Sequence, residues 1–295
     1  MTTGIIFVGG PGRSGTSFVA DRVGRHAGVA TFQDVELKIF GEFGGLLDMQ
    51  AVLVEHFSPN RSEIVFKHFR NMLKAVLGGG YGQPALETIV PAERLDPLIE
   101  QLFTQLQPDG YFAQLDFVTF NDAARAFLQG LARIALDQKL GATSFLEKTP
   151  HNCLHPQFLH EMAPDARYLH IYRNPKAIAV SLLGQSWGPS RLDHAIVWVR
   201  SYFDAWFKAK AHFHRLGLPL ADYCIEGISA DSVSASTAVC QHLGLTPDST
   251  MFAGADINQL QGWKTKLADD AYVHLEEGLG PLCRQLGYAD ENTSV

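Results

Sequence analysis

Four apolar residues, Ile5-Ile6-Phe7-Val8, run directly into Gly9-Gly10-Pro11-Gly12-Arg13-Ser14-Gly15-Thr16-Ser17. A short β-branched run bounded by glycines suits a strand buried on both faces of a parallel sheet. Residues Ser17 to Ala27 then read as a helix. A glycine-rich turn between a buried strand and a helix is an anion cradle. Its backbone N–H groups converge on phosphate oxygens, and the helix N-terminus adds the positive end of its dipole. Arg13 adds a formal cation, and Ser14, Thr16 and Ser17 add hydroxyl donors.

The loop departs from the triphosphate-binding pattern G-x-x-x-x-G-K-[ST]. Gly10 and Gly15 have the required spacing, but Thr16 stands in the lysine position before Ser17. The lysine of that pattern reaches the β- and γ-phosphates. Its absence, with a cation moved to Arg13, suits a single 5′ phosphate that carries another small anion.

Two further elements follow predicted strands. Tyr168-Leu169-His170-Ile171-Tyr172-Arg173-Asn174-Pro175 puts Arg173 at a strand's carboxyl end and Pro175 where a helix opens, with Ser181 inside that helix. Open α/β sheets bind ligands at that edge, and an Arg and a Ser aimed at one spot can fork around a second phosphate. Glu147-Lys148-Thr149-Pro150-His151-Asn152 sets Lys148 at the same edge, where it can neutralise charge on a bridging oxygen as a bond to phosphate breaks.

Between and beyond these motifs the chain alternates. Val29–Phe32, Ser144–Leu146, Tyr168–Tyr172 and Asp222–Ile225 are strand-like. Helical patterns cover 154–162, 176–183, 192–216, 233–243 and 271–286, the last two ending at Gly244 and Gly287. Strand–helix alternation implies an α/β fold, a P-loop-type central parallel sheet with helices on both faces. From about 41 to 141 the pattern is helical throughout, which predicts an insertion covering the ligand edge of the sheet. Its helices read at 51–56, 64–77, 95–106 and about 124–135, with Gly141 as the expected cap of the last and Gly78-Gly79-Gly80 as a flexible loop. With no repeat or Pro/Ser-rich linker in view, residues 1–295 read as one domain with the insertion at about 41–141. The polar end from Asp290 is expected to fray.

Composition narrows the partners. A net charge of −7 argues against binding nucleic-acid backbones. No run of about 18 apolar residues offers a membrane span, and the start, Met1-Thr2-Thr3-Gly4, lacks the features of a signal peptide, so the protein is expected in the cytoplasm. Cys153, Cys224, Cys240 and Cys283 are scattered and read as buried reduced thiols; His151 and His155 beside Cys153 lack further metal ligands nearby.

Taken together, the three elements resemble the sulfotransferase superfamily, in its bacterial and tyrosylprotein-type branch. Pro11 to Ser17 is similar to the 5′-phosphosulfate loop, with Gly12, Arg13, Ser14, Gly15, Thr16 and Ser17 around the donor. Leu169 to Ser181 is similar to the 3′-phosphate element, with Arg173 and Ser181 as its ligands, and Glu147-Lys148-Thr149-Pro150 resembles the segment that contributes a lysine near the transferred group. The tail, with Leu243-Gly244-Leu245, Gly262-Trp263-Lys264 and Leu286-Gly287-Tyr288, agrees more loosely. The resemblance frames residues 5–37 and 143–288 and leaves the insertion unmatched, so acceptor specificity is expected there.

The resemblance implies that a hydroxyl or amine acceptor, small or carrier-bound, attacks the sulfur of 3′-phosphoadenosine 5′-phosphosulfate (PAPS) in line. Adenosine 3′,5′-bisphosphate leaves, and no metal is required. Glu36, in Val35-Glu36-Leu37-Lys38-Ile39-Phe40, looks like the family's glutamate base, with His68 in reserve; Lys148 and Arg13 complete the catalytic group. Two other readings stay open: a small-molecule kinase of the same loop ancestry, and a non-catalytic nucleotide-binding protein. Phe66, Phe69, Tyr81 and Phe103 of the insertion read as ordinary core before they read as an acceptor pocket. The acceptor and the oligomeric state are not legible.

Overall fold

The computed structural model describes residues 3–255, 260–264 and 269–288. Among them five strands, β1 (Gly4–Gly9), β2 (Val29–Ala30), β3 (Ser144–Lys148), β4 (Arg167–Tyr172) and β5 (Leu220–Cys224), form an all-parallel sheet in the order β2-β3-β1-β4-β5. The continuous apolar run of β1 has a direct cause. Ile5 and Phe7 join a core with Phe145 and Tyr168 on one face, while Ile6 and Val8 join Leu146, Leu169 and Ile171 on the other. Both faces are covered, so no polar alternation survives.

Helix α1 (Thr16–Arg25) covers the second face, with α9 (Ile225–Ala230) and α10 (Ser232–Leu243). The first face carries α2 (Leu46–Gln50), α3 (Pro59–Leu77), α4 (Ala92–Leu106), α5 (Phe117–Asp137), α6 (Pro156–Met162), α7 (Pro175–Leu183), α8 (Leu192–Leu216) and α11 (Asp269–Gln285). Local sequence sets several starts. Asn174 accepts the Lys176 N–H at 2.9 Å with Pro175 in the first helical position, and Asp116 accepts the Thr119 N–H at 2.7 Å. Such caps satisfy donors that a helix cannot satisfy itself.

The stretch between β2 and β3 is helical as expected, and its core is aromatic: Phe66 and Phe69 are buried and both meet the Phe103 ring, at 5.8 and 6.0 Å between centroids. Some bounds differ from the sequence expectation. The helix expected over 51–56 is α2 followed by one wide turn at Ala51–Glu55. β2 stops after two residues, because the chain turns away to deliver residues 32–40 to the sheet's carboxyl edge. Helix α5 ends at Asp137 with Gln138 as its cap, so Gly141 does not close it; at φ +85° it turns the chain into β3. Helix α9 was not expected. Cys224, predicted buried, is half-buried beside Glu226, while the other three thiols are enclosed. The tail from Asp290 lies outside the described residues.

Candidate active site

Strand register brings the three motifs to one edge. Val8 lies beside Lys148 and Gly9 beside His170, so the loop after β1, Lys148 and Arg173 all leave the sheet at its carboxyl end. From β1 the chain passes to β2 on one side, and from β4 to β5 on the other. The crevice between β1 and β4 is therefore the topological switch point of the sheet. A cleft of about 790 Å³ opens there, lined by Gly12, Arg13, Thr16, Ser17, Glu36 and Lys148 among others.

The loop's shape depends on two glycines. A Cβ on Gly10, at φ +152°, would stand 2.0 Å from the Ile171 carbonyl oxygen, and Gly15, at φ +100°, caps α1 in a conformation that side chains rarely adopt. The first helical bond runs from Val19 N–H to the Gly15 carbonyl at 3.1 Å. The N–H groups of Gly15, Thr16, Ser17 and Phe18 are thus left without partners one turn back. Of the three hydroxyls assigned to this loop, that of Ser14 is committed elsewhere: it is fully buried and donates to the Ile171 carbonyl at 2.7 Å. Ser14 fastens the loop to β4, while Thr16 and Ser17 line the cleft.

The two phosphate anchors already meet. Arg13 Nε donates to Ser181 Oγ at 3.1 Å across the β1–β4 crevice. Arg173 sends one Nη to the Leu260 carbonyl, but its Nε is buried with no partner. Burial lowers the Arg173 pKa; Glu226 opposes this, and Arg13 is near enough to push it down further. A partnerless guanidinium N–H beside a second guanidinium is a site that fits an anion.

Lys148 joins the loop to the acceptor side. Its Nζ donates to Ser17 Oγ at 3.2 Å and pairs with Glu36 Oε1, while Lys38 Nζ holds Glu36 Oε2 at 2.8 Å. Burial raises the Glu36 pKa, but Lys148 and then Lys38 outweigh it, leaving the carboxyl below its usual value. Glu36 lies in irregular chain, and its neighbours are gripped from the end of β3 and the residue after it. Glu147 Oε1 accepts the Leu37 N–H at 3.2 Å, and Thr149 Oγ1 accepts the Lys38 N–H at 3.1 Å.

Glu147 itself is enclosed, and burial pushes its carboxyl up to about 7. Its second oxygen meets Asn152 Nδ2, while Asn152 Oδ1 has no partner.

The opposite wall is aromatic. Trp187 and Trp198 pack edge to face at 5.8 Å, and Tyr202 lies beyond them. The Tyr202 hydroxyl donates to His170 Nε2 at 3.2 Å, and His170 Nδ1 meets Asp222 at 2.9 Å. Burial holds His170 below the ordinary imidazole value against the pull of Asp222, so the ring is a neutral buried brace. None of these aromatic positions was singled out as a wall from sequence, because the α7–α8 connection folds Trp187 onto α8 only in the fold. Tyr81 also lines the cleft, whereas Phe66, Phe69 and Phe103 are core.

His68 is exposed on α3, packs against Phe43 at 5.6 Å and does not line the cleft. His151 does, paired with Glu42 at 3.0 Å. The described residues hold no group of three or more potential metal ligands, and no helix among them is long and apolar enough to cross a membrane. Among the described residues, five that are not glycine have left-handed φ: Arg13, Asp34, Lys38, Tyr81 and Asp109. Four of the five line this cleft. Left-handed backbone is costly for such residues and collects at functional sites.

A family model described as Sulfotransferase family matches residues 6–249. Among solved structures, the chain is similar to the sulfotransferase domain from the curacin biosynthetic pathway, at 12% identity and a TM-score of 0.51, covering 98% of this chain and 99% of that one. It is also similar to the sulfotransferase domain of the Synechococcus PCC 7002 olefin synthase, at 14% identity, 97% and 95% coverage and a TM-score of 0.48. A third likeness is to sulfotransferase STF1 from Mycobacterium tuberculosis H37Rv, at 15% identity, 90% and 78% coverage and a TM-score of 0.44. No relative is detected among curated protein sequences. The first of the solved structures supports the fold. The family match spans β1, the loop, Lys148 and the Arg173 element, and on it the chain belongs to the sulfotransferase family and is a transferase of sulfuryl groups.

Proposed function

We propose that the sulfuryl donor is PAPS and that the chain is one sulfotransferase domain acting on a hydroxyl or amine of a small or carrier-bound acceptor. The observation that carries this reading is the position of Lys148, bonded at once to Ser17 of the anion loop and to the Glu36 carboxylate. One cation thereby stands between an anion cradle and a base, inside a cleft of about 790 Å³.

The donor supplies an activated sulfuryl group. In this reading Gly12, Arg13, Gly15, Thr16 and Ser17 receive its 5′ end through backbone N–H groups, hydroxyls and the Arg13 guanidinium, and Ser14 keeps the loop in shape. Arg173 and Ser181 receive the 3′ phosphate; the partnerless Arg173 Nε supports this assignment. Glu36 takes the acceptor's proton as the acceptor oxygen or nitrogen bonds to sulfur and the sulfur–oxygen bond to the phosphate breaks. Lys148 and Arg13 neutralise the charge that collects on the departing phosphate oxygen. No step calls for a metal ion.

The test is thermal unfolding with adenosine 3′,5′-bisphosphate, and separately with ATP and Mg²⁺. A ligand at about 100 times its dissociation constant stabilises a fold by roughly 2.7 kcal/mol. The expected result is a shift with the bisphosphate that chelation does not remove. A shift only with ATP and Mg²⁺ overturns the donor assignment and returns the loop to a kinase.

A further inference from the structure

The segment that carries Glu36 is held from a second direction, by the insertion. Gln83 lies in the loop between α3 and α4 and lines the cleft. Its Oε1 accepts the Glu36 N–H at 3.0 Å, and its Nε2 donates to the Glu36 carbonyl at 2.9 Å. One planar amide thus pairs with both polar groups of a single residue's backbone, as a neighbouring strand would. Glu147 and Thr149 already hold the N–H groups of the next two residues. Gln83 completes a run of three consecutive residues fixed by side chains distant in sequence. The loop also reaches the carboxylate's own partner, since the Tyr81 ring lies 5.4 Å from Lys38 Nζ.

This loop is shaped for the task. Gly79, Tyr81 and Gly82 all have left-handed φ, at +77°, +63° and +71°. A Cβ on Gly82 would meet nothing, so its glycine answers to conformation and not to space. Tyr81 has no such excuse: it holds a strained backbone while its ring is mostly exposed. Leu86 and Val90 anchor the far end of the loop in the core, but residues 79–85 bury no side chain, so core packing does not explain the strain at Tyr81. Delivery of one side chain to one peptide does.

We propose that Gln83 is a positioning residue for the sulfuryl-transfer reaction, fixing the backbone of Glu36 so that its carboxylate stays between Lys148 and Lys38 and faces the acceptor. This rests on the reading of Glu36 as the base. It also makes the α3–α4 loop part of the reaction machinery as well as a wall of the acceptor cleft.

The test compares Gln83→Met, which keeps length and loses both hydrogen bonds, with Gln83→Glu, which keeps the acceptor and loses the donor. Carbon-13 NMR follows the Glu36 carboxyl titration, calorimetry follows adenosine 3′,5′-bisphosphate binding, and PAPS hydrolysis reports turnover with water as acceptor. In Gln83→Met the Glu36 midpoint is expected to rise toward the ordinary carboxylate value, with bisphosphate affinity within about twofold of wild type. Turnover should fall about tenfold or more, the scale on which small misplacements act; Gln83→Glu should fall between. A Glu36 titration unmoved in both variants overturns the inference, even if melting temperature or rate drops. Glu36→Gln at the wild-type rate would instead remove the base reading, leaving the titration result for Gln83 to be judged separately.

Discussion

The loop after β1 and the segment carrying Glu36 lie on either side of Lys148, yet they are held by different kinds of contact. The loop is shaped by its own sequence. Gly10 and Gly15 supply the backbone angles, Ser14 ties the loop to β4, and the helix that follows supplies unpaired N–H groups. Residues 36–38 carry no comparable local code. Their peptides are fixed by Gln83, 47 positions away, and by Glu147 and Thr149, 110 and 111 positions away. The loop's backbone angles are therefore set within its own sequence, and its one side-chain tie to β4 runs to a carbonyl that any residue at 171 would supply. The acceptor side is a tertiary assembly, open to change through any of three distant side chains.

Three substitutions would break or sharpen this contrast. Lys148→Ala removes the group shared by both sides and should have the largest effect, about 10²–10⁴-fold on turnover. Bisphosphate affinity should stay within a few-fold by calorimetry, and wild-type turnover would refute the lysine's role.

Glu147→Gln probes the acceptor side through pH. In the unfolded chain this carboxyl titrates near 4.5 and in the fold at about 7. Between those values the folded state holds a proton that the unfolded state has lost, so Glu147's contribution to stability, full below 4.5, declines as pH rises through 7. The limit is about 3 kcal/mol. The glutamine variant would lack this dependence while still accepting the Leu37 N–H. Denaturant unfolding should show variant minus wild-type stability shifting in the variant's favour by about that amount from pH 4.5 to well above 7. A difference independent of pH would contradict the shift.

Arg173→Ala addresses the donor side alone. Losing a charged hydrogen-bond donor costs about 1.5–3 kcal/mol. Adenosine 3′,5′-bisphosphate should weaken roughly tenfold to a hundredfold in titration calorimetry, with adenosine 5′-phosphate little changed. Equal weakening of both would mean that Arg173 does not read the 3′ group.

The same contrast governs what could be read without a structure. Helix α8 has the bounds that apolar periodicity predicts, and Pro175 opens α7 as expected, because these are signals within a few residues. The strand–loop–helix unit was legible for the same reason, and with it the parallel sheet. In the cleft, Arg13, Thr16, Ser17, Glu36 and Lys148 do converge, and Ser181 bonds Arg13. Ser14's commitment to Ile171 was not visible, since a serine in such a loop reads as a ligand until the strand behind it is known. Gln83 was invisible for a plainer reason: a lone glutamine after a glycine run carries no periodicity, charge or motif. The Trp187–Trp198–Tyr202 wall was likewise hidden, since Trp187 meets α8 only when the α7–α8 connection folds back on it.

The left-handed backbone at Arg13 and Lys38 has a consequence for how this protein can be altered. At either position glycine would relieve backbone strain, commonly on the order of 1–3 kcal/mol, and delete a cation at the cleft. A library selected only for heat resistance should therefore drift toward glycine at 13 and 38 and lose activity as it gains robustness, while selection on turnover should restore the charged residues. The two selections would pull these positions in opposite directions, and the residues that diverge would chart the cleft without a ligand or an identified acceptor.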